Sequence, residues 1–303
     1  PWTKEYLPFD PAVYVENGRV WLYYGSAMFF PVLGVSKKKI KGGAVVELDP
    51  KDMKTVIKPP KLTITGNRNS ELGEHAFFEA SSIRKINNRY YFIYSSLLGH
   101  ELCYATSDAP DGEWKFGGTI VSNGDIGLDN HKDTRLASNY TGNTHGSILE
   151  VNGRHYIFYH RHTNRSCFSR QACAEEIFIR EDGSIKQVET TSCGLNGGPL
   201  KGAGTYEARI ACNLFSKNGS IFKAGKGGHP YFTQTGKDRE NNPDQYIANF
   251  CDGATAGFKY FDLEDVQRIA VSIKGSAQGR FVVRTKKDGI PVCIIPVLAK
   301  KSY

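Results

Sequence analysis

The feature that most constrains the fold is a β-hairpin pattern that occurs three times in the N-terminal part of the chain. Each copy has a strand-forming run, an Asn-Gly or Asn-Asn turn followed by Arg, and a second strand rich in aromatic residues. The copies are DPAVYVENGRVWLYYGS from Asp10, HAFFEASSIRKINNRYYFIYSS from His75 and HGSILEVNGRHYIFYHR from His145. Their turns begin at positions 17, 87 and 152, so the repeat length is roughly 65 to 70 residues. Repetition of this kind predicts an array of similar β-sheets.

A further strand-like run follows each hairpin. These runs are GGAVVEL at 42–48, ELCYATSD at 101–108 and EEIFIRED at 175–182. Each repeat is therefore predicted to form a four-stranded antiparallel sheet, which is the blade of a β-propeller.

Three ionisable residues stand at the head of the first strand of these blades, namely Asp10, Glu79 and His145. The first strand of a propeller blade lines the central channel, so residues at its head point to one shared mouth. Any one of them alone could simply cap a turn, as Asp often does. Their equivalent position in three repeats favours a common pocket.

Two carboxylates across a pocket are the groups that glycoside hydrolysis uses. One must be protonated to deliver a proton to the leaving oxygen, and another must be ionised to activate water or to attack. Glu79 follows Phe77 and Phe78 and precedes Ala80. These apolar neighbours are expected to raise the pKa of Glu79 by desolvation, and a nearby carboxylate would raise that pKa further.

The composition agrees with an all-β protein that binds sugars. Aromatic residues make up 12% of the 303 residues, and aromatic faces suit both sheets and sugar rings. The formal net charge of +8 allows an acidic partner, but the 39 basic residues are scattered, which favours a solvated surface over a nucleic-acid site. The sequence has no apolar run of about 18 residues, so we expect no membrane partner.

The seven cysteines are an odd number and none are spaced as CxxC, which argues against a zinc cluster and a full disulfide scheme. We expect free and mostly buried thiols in a reducing compartment, and therefore a cytoplasmic location. Secretion is the alternative, because the sequence opens at Pro1-Trp2 and an upstream segment is expected to be missing from it.

The sequence resembles glycoside hydrolase family 43 over about residues 8 to 200. The motifs that carry the resemblance are FDPAVYVENGRVWLYYGS, FFEASSIRK with its aromatic hairpin, THGSILEVNGRHYIFYHR and QVETTSCGLNGGPL. The resemblance implies a five-bladed β-propeller that acts as an α-L-arabinofuranosidase, β-xylosidase or arabinanase. About three of the five blades are expected within this chain.

The resemblance also implies roles for individual residues. Glu79 matches the general acid of the family, and Asp10 matches the aspartate that tunes the pKa of the acid and orients the substrate. His145 matches a central histidine that faces a structural calcium or its water shell in several members. Arg170 matches an arginine that reaches the sugar hydroxyls, although it also fits a surface arginine on a loop. Phe78 is expected to contact substrate, and no cofactor is required.

One departure from the family pattern concerns the general base, an aspartate in the first blade. The sequence has only nine residues ahead of Asp10, and no WAPD-like motif stands there. We therefore expect the base to lie outside this chain, on an N-terminal segment that supplies roughly two further blades. Three blades do not close a ring, since four to eight are usual.

The C-terminal hundred residues lose the hairpin repeat. Runs such as RIAVSIKG (268–275), GRFVVRTKK (279–287) and VCIIPV (292–297) alternate with Gly/Asp turns, which predicts a β-sandwich of the jelly-roll type. Together with YIANFCDGATAGFKYFDL they resemble a family 6 carbohydrate-binding module. Two domains are thus predicted, a partial propeller at 1–201 and a sandwich at 202–303. In the second, the aromatic residues 258, 260 and 261 suit either a sugar platform or, by preference, the core.

The predicted function is hydrolysis, with inversion, of arabinofuranose or xylose from arabinoxylan-type plant cell-wall polysaccharides or oligosaccharides. The alternative is a glycan-binding protein or degenerate glycosidase that lacks the base. Both interpretations place Glu79 at the sugar site, and only a catalytic assay separates them.

Overall fold

The computed structural model of the chain describes residues 5–27, 40–130, 133–225, 227–236 and 244–300. Regular structure in these ranges consists of β-strands and short 3-10 helices, which confirms the all-β prediction. No helix in these ranges is long and apolar enough to cross a membrane. The chain forms two compact units: Pro1–Gly198 with Tyr206–Tyr260, and Pro199–Thr205 with Phe261–Tyr303.

Two four-stranded antiparallel sheets of the first unit have the strand order of propeller blades. The first sheet contains β1 (Ala12–Glu16), β2 (Arg19–Gly25), β3 (Gly42–Leu48) and β4 (Val56–Thr65). The second contains β5 (Phe77–Ile86), β6 (Arg89–Ser96), β7 (Glu101–Ser107) and β8 (Lys115–Ser122). In both sheets each strand pairs with the next strand along the chain, as the repeat predicts.

The third sheet has three described strands, in the order β11-β10-β9. They are β9 (Ser147–Val151), β10 (Arg154–Thr163) and β11 (Ser166–Ile177). The predicted run at 175–182 is wrong as a separate strand, because residues 175–177 complete β11. Beyond them only an isolated bridge joins Ile179 to Ile185.

The hairpin turns were predicted correctly in all three repeats. The turn residues have positive φ in pairs: 50° and 72° at Asn17-Gly18, 49° and 62° at Asn87-Asn88, and 52° and 75° at Asn152-Gly153. Positive φ at both central positions is the type I′ geometry, whose twist matches that of the flanking strands. Asn and Gly adopt this conformation at low cost, so these turns are determined locally.

The second sheet is buried on both faces, which explains the unbroken aromatic run in β6. Tyr90, Phe92 and Tyr94 join a core cluster with Trp21 and Tyr23 of β2. The intervening Tyr91 and Ile93 join another cluster, which includes Ile148 of β9 and Ile157 of β10. Successive side chains of a strand point to opposite faces, so one strand packs against both neighbouring sheets.

The first strands of the three sheets lie side by side. Lys85 of β5 contacts Glu16 of β1, with Nζ and Oε1 2.6 Å apart. Ser82 of β5 donates to Ser147 of β9 at 2.7 Å between the hydroxyl oxygens. These contacts make β1, β5 and β9 neighbours, as expected for the first strands of adjacent blades.

Residues 206–260 belong to the first unit, whereas the predicted domain boundary at 201/202 placed them in the sandwich. They form two short antiparallel pairs, β13 (Asn213–Phe215) with β16 (Thr255–Gly257) and β14 (Tyr231–Gln234) with β15 (Gln245–Ala248). Leu214 and Phe232 bury their side chains against Tyr140, which precedes β9. This apolar cluster joins the segment to the first unit. Phe258 and Tyr260 are 43% and 48% exposed, so the preference for a core position was wrong for both.

The second unit contains a short parallel pair and one hairpin in its described part. The pair is β12 (Leu200–Lys201) with β17 (Phe261–Asp262), and the hairpin is β18 (Ala277–Val283) with β19 (Cys293–Ala299). Alternate residues of β19 are partly buried, a pattern typical of one layer of a sandwich. The predicted strand at 268–275 was wrong: these residues are exposed and pair with no described strand.

Candidate active site

Glu79 lies at an irregular point of β5, and this irregularity explains why the strand can carry a carboxylate there. The β5–β6 register shifts on both sides of Glu79, between it and Phe77 and between it and Ser82. The next residue, Ala80, has a φ of 70°, which is unusual for a residue with a Cβ. Bulges bend a strand and turn a side chain away from its regular direction. The local backbone is therefore shaped to present Glu79 rather than to complete the ladder.

The surroundings of Glu79 raise the pKa of its carboxyl into the neutral range. The pKa of Glu79 is raised from the ordinary 4.5 to about 7, chiefly by burial and then by the negative charge of Asp10, while the Arg170 guanidinium partly opposes both. Its Oε2 is buried and has no hydrogen-bond partner among the described residues. An unpaired, desolvated carboxyl beside another carboxylate favours the neutral acid. The direction agrees with the prediction from the sequence.

Asp10 and His145 lie together at the same site. Asp10 Oδ2 is 3.9 Å from Nδ1 of His145, although the two residues are far apart in the sequence. Asp10 has a φ of 43°, a left-handed conformation that Asp tolerates better than most residues. Burial lowers the pKa of His145, and the Asp10 charge opposes this effect while Arg170 reinforces it.

Arg170, from β11, contributes the positive charge of the cluster. It is exposed, and its charge acts on both Glu79 and His145. Its Nε donates to the carbonyl of Cys167 at 3.0 Å, and its Nη1 lies 3.1 Å from Nε2 of His160. It is a strand residue held at two points, not a free arginine on a loop.

Phe78 is partly buried, and its main chain has a structural contact. Its carbonyl accepts a hydrogen bond from the Ala27 amide at 2.7 Å, which joins β5 to the end of the first sheet. The contact with substrate expected of its ring stays a prediction.

Glu175 shows what distinguishes a site acid from a structural acid. Burial also raises its pKa to about 7, despite the hydrogen bonds that it accepts. However, Glu175 is only 3% exposed and accepts hydrogen bonds from Tyr159 and from the amide and hydroxyl of Thr191. It also borders a cavity of about 260 Å³ whose lining does not include Glu79. A satisfied and enclosed carboxyl is a structural group, whereas Glu79 is unpaired beside charged neighbours.

The residues around His145 do not by themselves make a calcium site. Calcium takes six to eight oxygen ligands, and the described neighbours supply one carboxylate, from Asp10, together with the repelling charge of Arg170. A calcium bound through water at His145 therefore stays a prediction.

A group of three possible metal ligands lies elsewhere, two of them on β7 and one in the short 3-10 helix before β5. The ligand atoms of His75, Glu101 and Cys103 lie within 4.8 Å of one another. Burial alone would raise the pKa of Glu101, but hydrogen bonds from His75, Ser96 and Thr119 outweigh it and bring that pKa to about 2. The carboxylate already has its donors, so the group is complete as a buried ion pair.

Sequence reasoning missed His160 and His162, which lie on β10 beside Arg170. In the β10–β11 register His162 stands opposite Arg170 and His160 opposite Ala172, so all four share one face of the sheet. The alternation of His with Arg161 in the run HRH was the available signal. The run was interpreted only as the end of an aromatic strand.

The arrangement can donate a proton to a leaving group. With a pKa of about 7, Glu79 is partly protonated near neutral pH, the charge of Asp10 favours that protonated form, and Arg170 offers donors for hydroxyl groups. Among the described residues, Asp10 is the only carboxylate whose charge acts on Glu79.

Similarity to known proteins extends over most of the chain. The family model "Glycosyl hydrolases family 43" matches residues 2–185. A xylosidase/arabinosidase of Thermoclostridium stercorarium is 48% identical over 297 residues, which are 95% of this chain and 61% of that protein. An arabinoxylan arabinofuranohydrolase of Bacillus subtilis is 25% identical over 229 residues, or 70% of this chain and 40% of that protein.

One similar solved structure is a Bacillus subtilis family 43 arabinoxylan arabinofuranohydrolase in complex with cellotetraose. The matched region covers 80% of this chain and 47% of that one. Its TM-score is 0.48 at 20% identity. The chain thus spans about three fifths of the length of the first relative and less of the others. Because the family model matches more than half of its residues, the chain belongs to glycosyl hydrolase family 43.

Proposed function

We propose that the complete protein is a glycosidase that releases arabinofuranose or xylose from arabinoxylan-type plant polysaccharides or oligosaccharides. The observation that carries the proposal is Glu79, an unpaired and partly buried acid whose pKa is about 7, beside Asp10 and Arg170. The names of the similar proteins, xylosidase/arabinosidase and arabinoxylan arabinofuranohydrolase, support the substrate class.

The proposed reaction is a single displacement with inversion. Glu79 donates its proton to the glycosidic oxygen as the bond from that oxygen to the anomeric carbon breaks. A water molecule bonds to the anomeric carbon from the opposite face and gives its proton to a general base. Asp10 keeps Glu79 protonated, while His145, Arg170 and Phe78 contact the sugar. A calcium at His145 would be structural, and no redox or nucleotide cofactor takes part.

We propose that the general base lies outside these residues, on an N-terminal segment that completes the propeller. It would be an aspartate roughly 6.5 to 9.5 Å from Glu79, the separation that leaves room for a water molecule. The second unit is proposed to belong to a carbohydrate-binding module similar to family 6. The exposed rings of Phe258 and Tyr260, which lie in the first unit, offer a further surface for stacking on sugar.

The test compares the complete protein with this chain alone on nitrophenyl α-L-arabinofuranoside and nitrophenyl β-xyloside. Release of nitrophenol by the complete protein supports the glycosidase, and the ratio of the two rates assigns the sugar. Binding of xylo-oligosaccharides without cleavage would instead make the protein a glycan-binding relative. Full activity of this chain alone would refute an external base.

Asp10→Asn tests the role of the second carboxylate. Because the Asp10 charge raises the pKa of Glu79, its removal lowers that pKa, and Glu79 ionises at lower pH. The alkaline limb of the pH–rate profile is therefore expected to move to lower pH, together with a loss of rate. A loss of rate with the limb unmoved would make Asp10 a binding residue only.

A reducing, cytoplasmic location is proposed from the cysteines. All seven are free in the structure, but only Cys103 and Cys212 are buried, so the expectation of mostly buried thiols was wrong. We expect alkylation without reductant to label Cys167 and Cys251 in the native protein and all seven after denaturation, as read by mass spectrometry. Two or more pairs that resist labelling until reduced would overturn the location.

A further inference from the structure

The contact between His160 and Arg170 determines the hydrogen-bonding state of the imidazole. Nη1 of Arg170 lies 3.1 Å from Nε2 of His160. A guanidinium is always charged and has only donors, so Nε2 must accept this hydrogen bond. An accepting Nε2 requires a neutral imidazole with its proton on Nδ1.

The surroundings of His160 maintain the neutral form. The pKa of His160 is lowered to about 3, chiefly by burial and then by the ionisable groups that face it, Arg170, His145 and His162, while a hydrogen bond to its own backbone opposes them. Its Nδ1 is buried without a partner among the described residues. The imidazole therefore stays an acceptor for Arg170 throughout the pH range in which a glycosidase works.

Two acceptors from the protein fix the direction of the guanidinium. The Cys167 carbonyl accepts a hydrogen bond from Nε of Arg170 at 3.0 Å, and Nε2 of His160 accepts one from Nη1. This leaves Nη2 without a hydrogen-bond partner in the described part of the chain. The same guanidinium acts electrostatically on Glu79. The remaining donors of Arg170 are thus free for a ligand, while its positive charge acts on Glu79.

We propose that His160 is a positioning residue: as a neutral acceptor, it fixes the direction of the Arg170 guanidinium so that the remaining donors of Arg170 bind sugar hydroxyls. The proposal deepens the proposed function and rests on it for the sugar contact. The charge of Arg170 also lowers the pKa of Glu79, and this effect can be measured without turnover.

The variants separate positioning from packing. His160→Leu fills the space of the imidazole but offers no acceptor, whereas His160→Gln can place its amide oxygen near the position of Nε2. His155→Leu is the matched control, because His155 lies on the opposite face of β10 and its ion-pair partner is Glu150, at 3.8 Å. Each change is made in the complete protein and also combined with Arg170→Met.

We expect His160→Leu to raise KM for an oligosaccharide about tenfold, as the loss of a hydrogen bond to a charged group should. The alkaline limb of its pH profile should move to higher pH, because Arg170 no longer lowers the pKa of Glu79. His160→Gln should restore both properties, and His155→Leu should change neither. In the Arg170→Met background, His160→Leu should add little.

Two spectroscopic measurements are independent of activity. The ¹⁵N shifts of His160 should report a neutral ring with the proton on Nδ1 at pH 6, and the ¹³C titration of Glu79 should move to higher pH in His160→Leu. If the protein proves inactive but these results hold, the positioning role stands and the glycosidase proposal fails. A protonated His160, an unmoved Glu79 titration, or an undiminished effect of His160→Leu beside Arg170→Met would overturn the positioning role.

Discussion

Replacing Glu79 with glutamine is expected to lower turnover of xylo- or arabino-oligosaccharides by about a hundredfold or more in the complete protein. The amide cannot donate the proton that the leaving oxygen needs, although its size and shape are nearly those of the acid. Substrates with activated leaving groups, such as nitrophenyl glycosides, should lose less, because their leaving oxygen needs little protonation. Steady-state kinetics on both substrate types measures the difference.

The fold of Glu79→Gln should survive, and its stability above pH 7 should equal or exceed that of the original protein. The pKa of Glu79 in the native state, about 7, lies above the ordinary value of 4.5. As pH rises between these values, the unfolded chain releases the proton first, so the native state loses stability across this window. A neutral amide avoids that loss, which thermal unfolding at pH 5 and pH 8 would reveal.

Glu74→Gln is the control for Glu79→Gln, because Glu74 lies nearby in the chain and forms a surface ion pair with Arg68, at 3.0 Å. We expect its kinetics to match those of the original protein. An unchanged rate of Glu79→Gln on natural oligosaccharides would remove Glu79 from the mechanism. An equal loss on natural and activated substrates would make it a binding residue.

The second large effect is expected from Gly146→Ala, next to His145. A Cβ at this position would stand 1.8 Å from the Phe158 carbonyl oxygen and 2.9 Å from Cδ1 of Leu102. The first contact is with backbone, so the chain must move at the point where β9 begins to pair with β10, at Ser147 and Phe158. We expect a loss of about 1–3 kcal/mol in unfolding free energy and a displaced His145.

Thermal unfolding and kcat/KM of the complete protein test this expectation. Gly198→Ala is the matched control, because a Cβ there would meet no atom within 4 Å, and its effect should stay within about 0.5 kcal/mol. If Gly146→Ala melts and turns over like the original protein, the close approach of the two strands is not a constraint on the site.

Much of the candidate site could be predicted from the sequence because the repeat places equivalent residues in equivalent positions. Asp10, Glu79 and His145 were identified from the heads of three repeats, and the electrostatic contacts of Asp10 with both others place them in one cluster. The upward shift of the Glu79 pKa was also predicted, because Phe77 and Phe78 precede the acid directly. The catalytic and binding roles of Asp10, Glu79 and His145 stay predictions.

The limits of prediction appear where pairing between distant segments decides the structure. Residues 206–260 were assigned to the sandwich by the predicted domain boundary, yet they join the first unit because Leu214 and Phe232 bury their side chains against Tyr140. Residues 268–275 alternate like a strand but find no described partner. Alternation shows that a segment is compatible with a sheet, whereas hydrogen bonding to a second strand decides whether a strand forms.

The sequence by itself determined the hairpins, since positive φ at Asn17, Asn87 and Asn152 follows from local turn chemistry, and it determined the all-β class through the repeat. Only the tertiary structure decided the direction of the Glu79 side chain, because the bulges beside it exist only in the pairing of β5 with β6. It alone also decided the pairing of His160 with Arg170, which depends on the register of β10 and β11. Turns depend on the conformations of adjacent residues, whereas bulges and registers depend on contacts between strands, which the local sequence does not contain.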